Sequence, residues 1–292
     1  MTKSNLYDNL QIDIQKIHSA AIQNSYFITK GNVYLTGILM KTNLWKKLID
    51  SGFVRNWFNE FHTYWKEVLG GRPLYFHDFF YLYSDYRKKF QNIGLDDTSE
   101  NFLETWQSPE NIYLLFSAVY KYTLCPMPFY PFRKYIISAN KILEYGCGIA
   151  PITYSAVKYG RFSMGKFTIA DIQSYTYHFA KWRLYNMKNV RMVNINPHEL
   201  PKFEQGYDLI FLMTVLEHLP NPLEVLNNLY ESLTIGGHLI FDFILGEGKG
   251  LDTKQAILGR VKIINFINEK FVIESGKIEV DKSISTTIAK KR

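Results

Sequence analysis

The chain has 292 residues, 47% of them apolar and 21% charged, with 34 Lys/Arg against 27 Asp/Glu and a formal charge of +7. That length and composition exclude a disordered chain and a mini-protein dependent on disulfide staples. The longest nearly unbroken apolar run, Leu209–Leu216, falls short of the roughly 18 residues of a membrane span, and the opening MTKSNLYDNLQIDIQKIH lacks the apolar stretch of a secretory signal, so a soluble cytoplasmic protein is expected.

Leu6, Leu10, Ile14 and Ile17 trace a first amphipathic helix. Phe53, Trp57, Phe61, Trp65 and Leu69 recur every four positions and line one face of a second, which Gly70, Gly71 and Pro73 end. Ser108 followed by Pro109 and Glu110 reads as the start of a third, with Ser as N-cap. Cys125–Phe132, CPMPFYPF, carries three prolines in eight residues and cannot be a regular helix or central strand. Of the 47 aromatic residues, 29 lie in the first 140. Residues 1–135 therefore read as a helical, aromatic-rich cap region, and residues 136–292 as a second domain.

From residue 141 the pattern alternates. Strands are predicted at 141–145, 166–171, 190–195, 207–213 and 238–244, with helical stretches at 151–159, 174–186 and 222–233 between them. EKFVIESG and SISTTIAK read as two closing strands. The expected class is α/β: a Rossmann-like, seven-stranded, mainly parallel sheet with helices on both faces, preceded by the helical region. Charge is spread evenly, with 15 Lys/Arg against 12 Asp/Glu in residues 1–140 and 19 against 15 in the rest, so neither half is a nucleic-acid-binding arm. Cys125 and Cys147 cannot make a disulfide framework or a four-cysteine zinc site.

The first strand runs into Glu144, Tyr145, Gly146, Cys147, Gly148, Ile149, Ala150, Pro151. Glycines permit a tight strand-to-helix turn and close approach of a ligand. A dinucleotide loop wants a small residue where Pro151 stands, and a pyrophosphate would be repelled by Glu144, whereas an α-amino group would not. The second strand ends in Asp171, placed to accept both hydroxyls of a ribose. The ligand drawn by these residues is an amino acid joined to a nucleoside.

In order and spacing, ILEYGCGIAP, Asp171, INPHELP, YDLIFLMTVLEHLPNP and LTIGGHLIF resemble the successive motifs of class I S-adenosylmethionine-dependent methyltransferases, over the roughly 150 residues from 141 onward. The resemblance implies S-adenosyl-L-methionine as cofactor, with Glu144, Tyr145, Gly146 and Gly148 around its methionine part and Asp171 and Ile172 at the ribose. It implies Asn196 at the adenine amine, where family members often have Asp, and Met213 and Thr214 beside the sulfonium. Ala150 replaces a frequent third glycine.

Glu217 and His218 follow the fourth strand, at the sheet edge where ligands of open α/β folds sit, and are the candidate catalytic pair, His as general base. Some oxygen methyltransferases of the superfamily bind a divalent cation through E-x-x-E-H at this place. Here Thr214 replaces the first carboxylate, and no metal is expected. The D/N-P-P-Y/F box of amino-methylating nucleic-acid enzymes and the nucleophilic cysteine of cytosine C5 enzymes are both missing after the fourth strand. Phe129 and Tyr130 in the proline loop are expected to meet the substrate, stacking on a ring. The function expected is methyl transfer to a small-molecule acceptor in biosynthesis, most simply at an oxygen of a sugar or an intermediate bearing one. An RNA or protein methyltransferase and a non-catalytic scaffold keeping the fold are the alternatives.

Overall fold

The computed structural model describes residues 55–69, 102–160, 162, 165–196, 199–245 and 251–292. The helix drawn through Leu6–Ile17, Phe53, the stop at Gly70–Pro73, and Pro197–His198 of the INPHELP motif lie outside them.

Seven strands form one sheet in the order β3-β2-β1-β4-β5-β7-β6: β1 Lys141–Tyr145, β2 Lys166–Asp171, β3 Val190–Asn194, β4 Tyr207–Leu212, β5 Leu233–Phe243, β6 Phe271–Ser275 and β7 Ile284–Lys291. The first five are parallel, in registers such as Leu143↔Thr168 and Leu143↔Ile210, and β7 runs antiparallel between β5 and β6. Ile142, Leu143, Glu144 and Tyr145 are all buried, as expected of a parallel strand covered on both faces. The strand order reverses between β1 and β4, and such a switch point opens a crevice at the carboxyl ends of the strands.

The helical elements are α1 Arg55–Glu67, α2 Phe102–Trp106, α3 Ile112–Leu124, α4 Arg133–Ser138, α5 Pro151–Lys158, α6 Tyr175–Leu184, α7 Pro222–Ser232 and α8 Lys254–Lys270. The four-residue aromatic spacing of α1 does what it predicts: Trp57, Phe61, Trp65 and Leu69 are buried, together with Tyr64. Phe61 meets Phe116 of α3 edge-on at 5.4 Å and Phe179 of α6 at 6.0 Å, so α1 and α3 pack onto the sheet domain through α6. Arg183 is buried with its guanidinium 4.3 Å from the Trp57 ring, 3.9 Å from Tyr154 and 5.0 Å from Phe179, and it donates to the Ile149 carbonyl.

Three elements differ from the sequence reading. α8 was not anticipated, because Gly259, Val261, Ile263 and Ile264 dilute its helical signal. It forms because Thr253 caps it, accepting from Ala256 N at 3.1 Å, and because Ala256, Ile263, Ile264 and Ile267 bury one face. β5 begins at Leu233, ahead of the expected 238, with a register irregularity between Tyr207↔Leu233 and Leu209↔His238 and Gly236 at φ +77°. Ahead of α3, Pro109–Asn111 form a 3-10 turn, so the α-helix starts at Ile112.

Candidate functional site

Glu144 is 4% exposed, at the end of β1. Its carboxylate accepts from Ile152 N at 3.2 Å and Thr153 N at 2.8 Å, the first free N–H groups of α5. The residue at the N-cap position, Ala150, offers no side-chain acceptor and lies in the left-handed region at φ 49°. Glu144 therefore does from the neighbouring strand what an N-cap does locally, satisfying orphan donors and the helix dipole. Burial raises its pKa, and the bonds to Thr153 and Ile152 work against that rise.

The rest of the loop is equally committed. Cys147 N donates to the Ala170 carbonyl at 3.2 Å, Ala150 N to the Cys147 carbonyl at 2.7 Å, and Gly148 N to Asp171 Oδ2 at 2.6 Å. A pyrophosphate cradle needs such N–H groups aimed at the ligand, and here five of them, with Ile152 and Thr153, are spent inside the protein. The loop is not built for a dinucleotide. The two glycines serve different ends: a Cβ on Gly146 would lie 2.4 Å from Val215 Cγ2, whereas a Cβ on Gly148 would meet nothing nearer than Thr176 at 4.0 Å. Gly146 is required by packing, and Gly148 leaves open space beside the backbone.

Asp171 accepts from Gly148 N and from Ile172 N, the latter at 2.7 Å, one bond to each oxygen. A carboxylate has about four lone-pair sites, so acceptor capacity remains for a diol. Burial pushes its pKa up to about 7, against the pull of the two N–H bonds.

Two cavities meet over this loop. The first, of about 250 Å³, is lined by Gly146, Gly148, Asp171, Ile172, Asn196 and His218, among others. The second, of about 400 Å³, takes in Lys121, Tyr122, Phe132, Met213 and Asp242, with Glu144 on its wall. Tyr145, Gly146, Gly148, Thr176 and Thr214 border both. The residues singled out for an amino-acid nucleoside are thus brought together around two cavities with a shared border, Asp171, Ile172 and Asn196 on the first and Met213 on the second.

Glu217 and His218, adjacent in sequence, part company. His218 lines the first cavity. Its Nδ1 stands 3.0 Å from the Leu251 carbonyl and 3.3 Å from Asp252 Oδ1. A carbonyl only accepts, so Nδ1 carries the hydrogen and Nε2 is left as the acceptor. Burial lowers the His218 pKa to about 4, making the neutral ring the resting form at pH 7. Glu217 is 2% exposed and lies on neither cavity wall. Neither carboxylate oxygen hydrogen-bonds to another residue among those described. Burial, with Asp242 and Asp252 nearby, pushes its pKa up to about 8, while its backbone carbonyl accepts from Thr253 N at the head of α8.

Phe129 and Tyr130 do not meet the crevice. The turn at Tyr130–Phe132 sends Phe129 into the core, 5.8 Å from Phe162, and leaves Tyr130 61% exposed. Their neighbours Pro128 and Phe132 reach the second cavity instead. Lys121, Tyr122 and Asp242 are lining residues that the sequence reading passed over. Asp242 left a trace, as the lone acid in the apolar strand HLIFDFI. Among the described residues no group of three or more His, Cys, Asp or Glu could hold a metal, and no helix is long and apolar enough to cross a membrane.

Comparison with known proteins agrees with this geometry. Residues 143–239, the span from β1 into β5, match the family described as a methyltransferase domain. Over that third of its length the chain is similar to a methyltransferase domain. A curated relative, tRNA U34 carboxymethyltransferase from Helicobacter acinonychis (strain Sheeba), is 26% identical over 105 residues, which span 36% of this chain and 40% of the relative's length. Among solved structures, the N-methyltransferase NodS from Bradyrhizobium japonicum WM9 in complex with S-adenosyl-L-homocysteine aligns with TM-score 0.44 and 16% identity, covering 67% of this chain and 99% of that one. The plantazolicin methyltransferase BpumL in complex with S-adenosylhomocysteine aligns with TM-score 0.46 and 14% identity over 66% and 95%.

Proposed function

We propose that this protein methylates an oxygen of a small-molecule acceptor, in cytoplasmic biosynthesis. The observation that carries the reading is the pair of cavities sharing a border: the first has Asp171, Ile172 and Asn196 on its wall, and the second, at about 400 Å³, is within the range of about 300–1,000 Å³ usual for small-ligand sites. Asp171, beside Ile172, would take the ribose hydroxyls, and the Asn196 amide would face the adenine. Tyr145, Gly146 and Gly148 would border the methionine part, with Met213 and Thr214 at the sulfonium. Glu144 acts at one remove, holding α5 and with it the loop in place.

S-adenosylmethionine held by these residues would supply an electrophilic methyl group on a sulfonium, within reach of an acceptor oxygen's lone pair. The protein's share is placement, worth several orders of magnitude in such displacements, and removal of the hydroxyl proton. His218 Nε2, unprotonated above about pH 4, is the group assigned to receive that proton. Glu217 supports it by tying the turn that carries His218 to the head of α8, its backbone carbonyl accepting from Thr253 N.

Calorimetric titration with S-adenosylmethionine, S-adenosylhomocysteine and NADH tests the cofactor half. Binding of the first two alone is expected, and tight NADH binding or no binding of any of them would overturn it. Transfer of a labelled methyl group to hydroxylated small molecules tests the rest. The name of the Helicobacter relative makes RNA the second reading: methylation of bulk tRNA, with binding that weakens steeply as salt rises, would put it first.

A further inference from the structure

The second cavity contains an acid and a base that the cofactor roles above leave unused. Asp242, at the end of β5, is 7% exposed. One of its oxygens takes the Thr214 N–H, and the other lies 3.5 Å from Thr214 Oγ1, at the limit of a hydrogen bond. Thr214 has φ 56°, rare for a β-branched residue, and Asp242 fixes this shape on the rim common to both cavities. The carboxylate still has lone pairs to offer. The other acid on the cavity wall, Glu144, has its oxygens occupied by Ile152 and Thr153.

Lys121 of α3 is the one cation among the residues lining this cavity. It is exposed, and among the described residues no ion pair claims its ammonium. It is close enough to lower the pKa of Asp242, which burial raises, yet the two form no ion pair. A gap therefore separates two opposite charges in one chamber. Tyr122, Phe132 and Met213 supply apolar surface along the same walls.

Building on the small-molecule reading above, we propose that Lys121 and Asp242 are the polar ends of the acceptor site. The acceptor is then a hydroxylated anion: its carboxylate or phosphate pairs with Lys121, a hydroxyl other than the one methylated donates to Asp242 at the Thr214 rim, and its body lies against Tyr122, Phe132 and Met213. A hydroxyl fits the Asp242 end because the carboxylate's free lone pairs accept its hydrogen.

The same two charges are also complementary to an amino-acid tail such as the cofactor's, and the experiment separates the two. Wild type, Lys121→Met and Asp242→Asn are titrated with S-adenosylhomocysteine and with 5′-methylthioadenosine, which lacks the tail. Each protein saturated with S-adenosylhomocysteine is then titrated with two matched pairs, glucuronate against glucose and 4-hydroxybenzoate against 4-hydroxybenzamide. One charge-assisted contact is worth about tenfold in affinity. The expected result is that wild type prefers the anion of at least one pair by about that factor. Lys121→Met should erase the preference, Asp242→Asn should weaken both members of the pair, and S-adenosylhomocysteine affinity should hold within about threefold. Loss of S-adenosylhomocysteine affinity in Lys121→Met with 5′-methylthioadenosine unaffected would assign the pair to the cofactor tail and overturn the proposal. Absence of an anion preference in wild type for either pair would also overturn it. Failure of wild type to bind either nucleoside would instead remove the methyltransferase reading itself.

Discussion

At the β1 and β2 end of the crevice, Glu144 and Asp171 each accept two backbone N–H groups. At the β4 and β5 end, Glu217 is as deeply buried and hydrogen-bonds through neither oxygen to another described residue. Both ends hold carboxylates against the cost of burial, but the first spends them on shaping the backbone and the second leaves one to carry a proton. A satisfied buried carboxylate is scaffold, and its loss should cost structure. An unsatisfied one stores a pH dependence.

The largest contrast expected between the ends is kinetic. His218→Ala should lower turnover by about 10²–10⁴, the usual worth of a general base, while leaving S-adenosylhomocysteine affinity within about threefold; a large loss of affinity with turnover intact would reverse the roles given to the two ends. Asp171→Ala should then weaken cofactor binding by about 10²-fold, because two hydrogen bonds to a charged acceptor are lost. It also frees Gly148 N and Ile172 N, so calorimetry and thermal melting are read together. Glu144→Ala should act on stability, by about 1–3 kcal/mol from two stranded donors at the head of α5. An affinity loss in that variant larger than the stability loss would mean that Glu144 touches the ligand.

The effect of pH sharpens the comparison most. Glu217 has an ordinary pKa of 4.5 and a folded value of about 8, so the folded protein retains a proton that the unfolded chain releases. The stability linked to that proton is whole below about pH 4.5, declines as pH rises, and is gone above about pH 8. Glu217→Gln removes the dependence. Its melting temperature should match wild type near pH 4 and exceed it by several degrees near pH 9; parallel curves would show that Glu217 is ionised throughout.

Much of this was legible in the sequence where local chemistry decides the structure. The strands at 141–145 and 166–171 read correctly because both faces of a parallel sheet are buried, and β1 and β2 end where Gly146 and Asp171 punctuate them. The crevice followed from those ends. Side-chain direction in irregular backbone was not legible: whether Phe129 or Phe132 faces the cavity depends on one 3-10 turn, which propensity does not resolve. Asp242 and Lys121 were hidden for another reason, since their meeting depends on β5 lying beside β4 and on α3 bordering the same cavity, relations between segments about 120 residues apart.

Arg183 has a consequence for how the molecule comes apart. Its guanidinium rests on a ring of α1, Trp57, as well as on Tyr154 and Phe179 of the sheet domain. Lifting α1 away would leave a cation in an apolar hollow with one of its three rings gone, an expensive intermediate. Water would have to reach the charge before the helix could leave, which requires loosening α5 and α6 at the same time. The aromatic helix and the sheet it covers should therefore melt as one cooperative unit, with no stage at which the sheet stands uncovered.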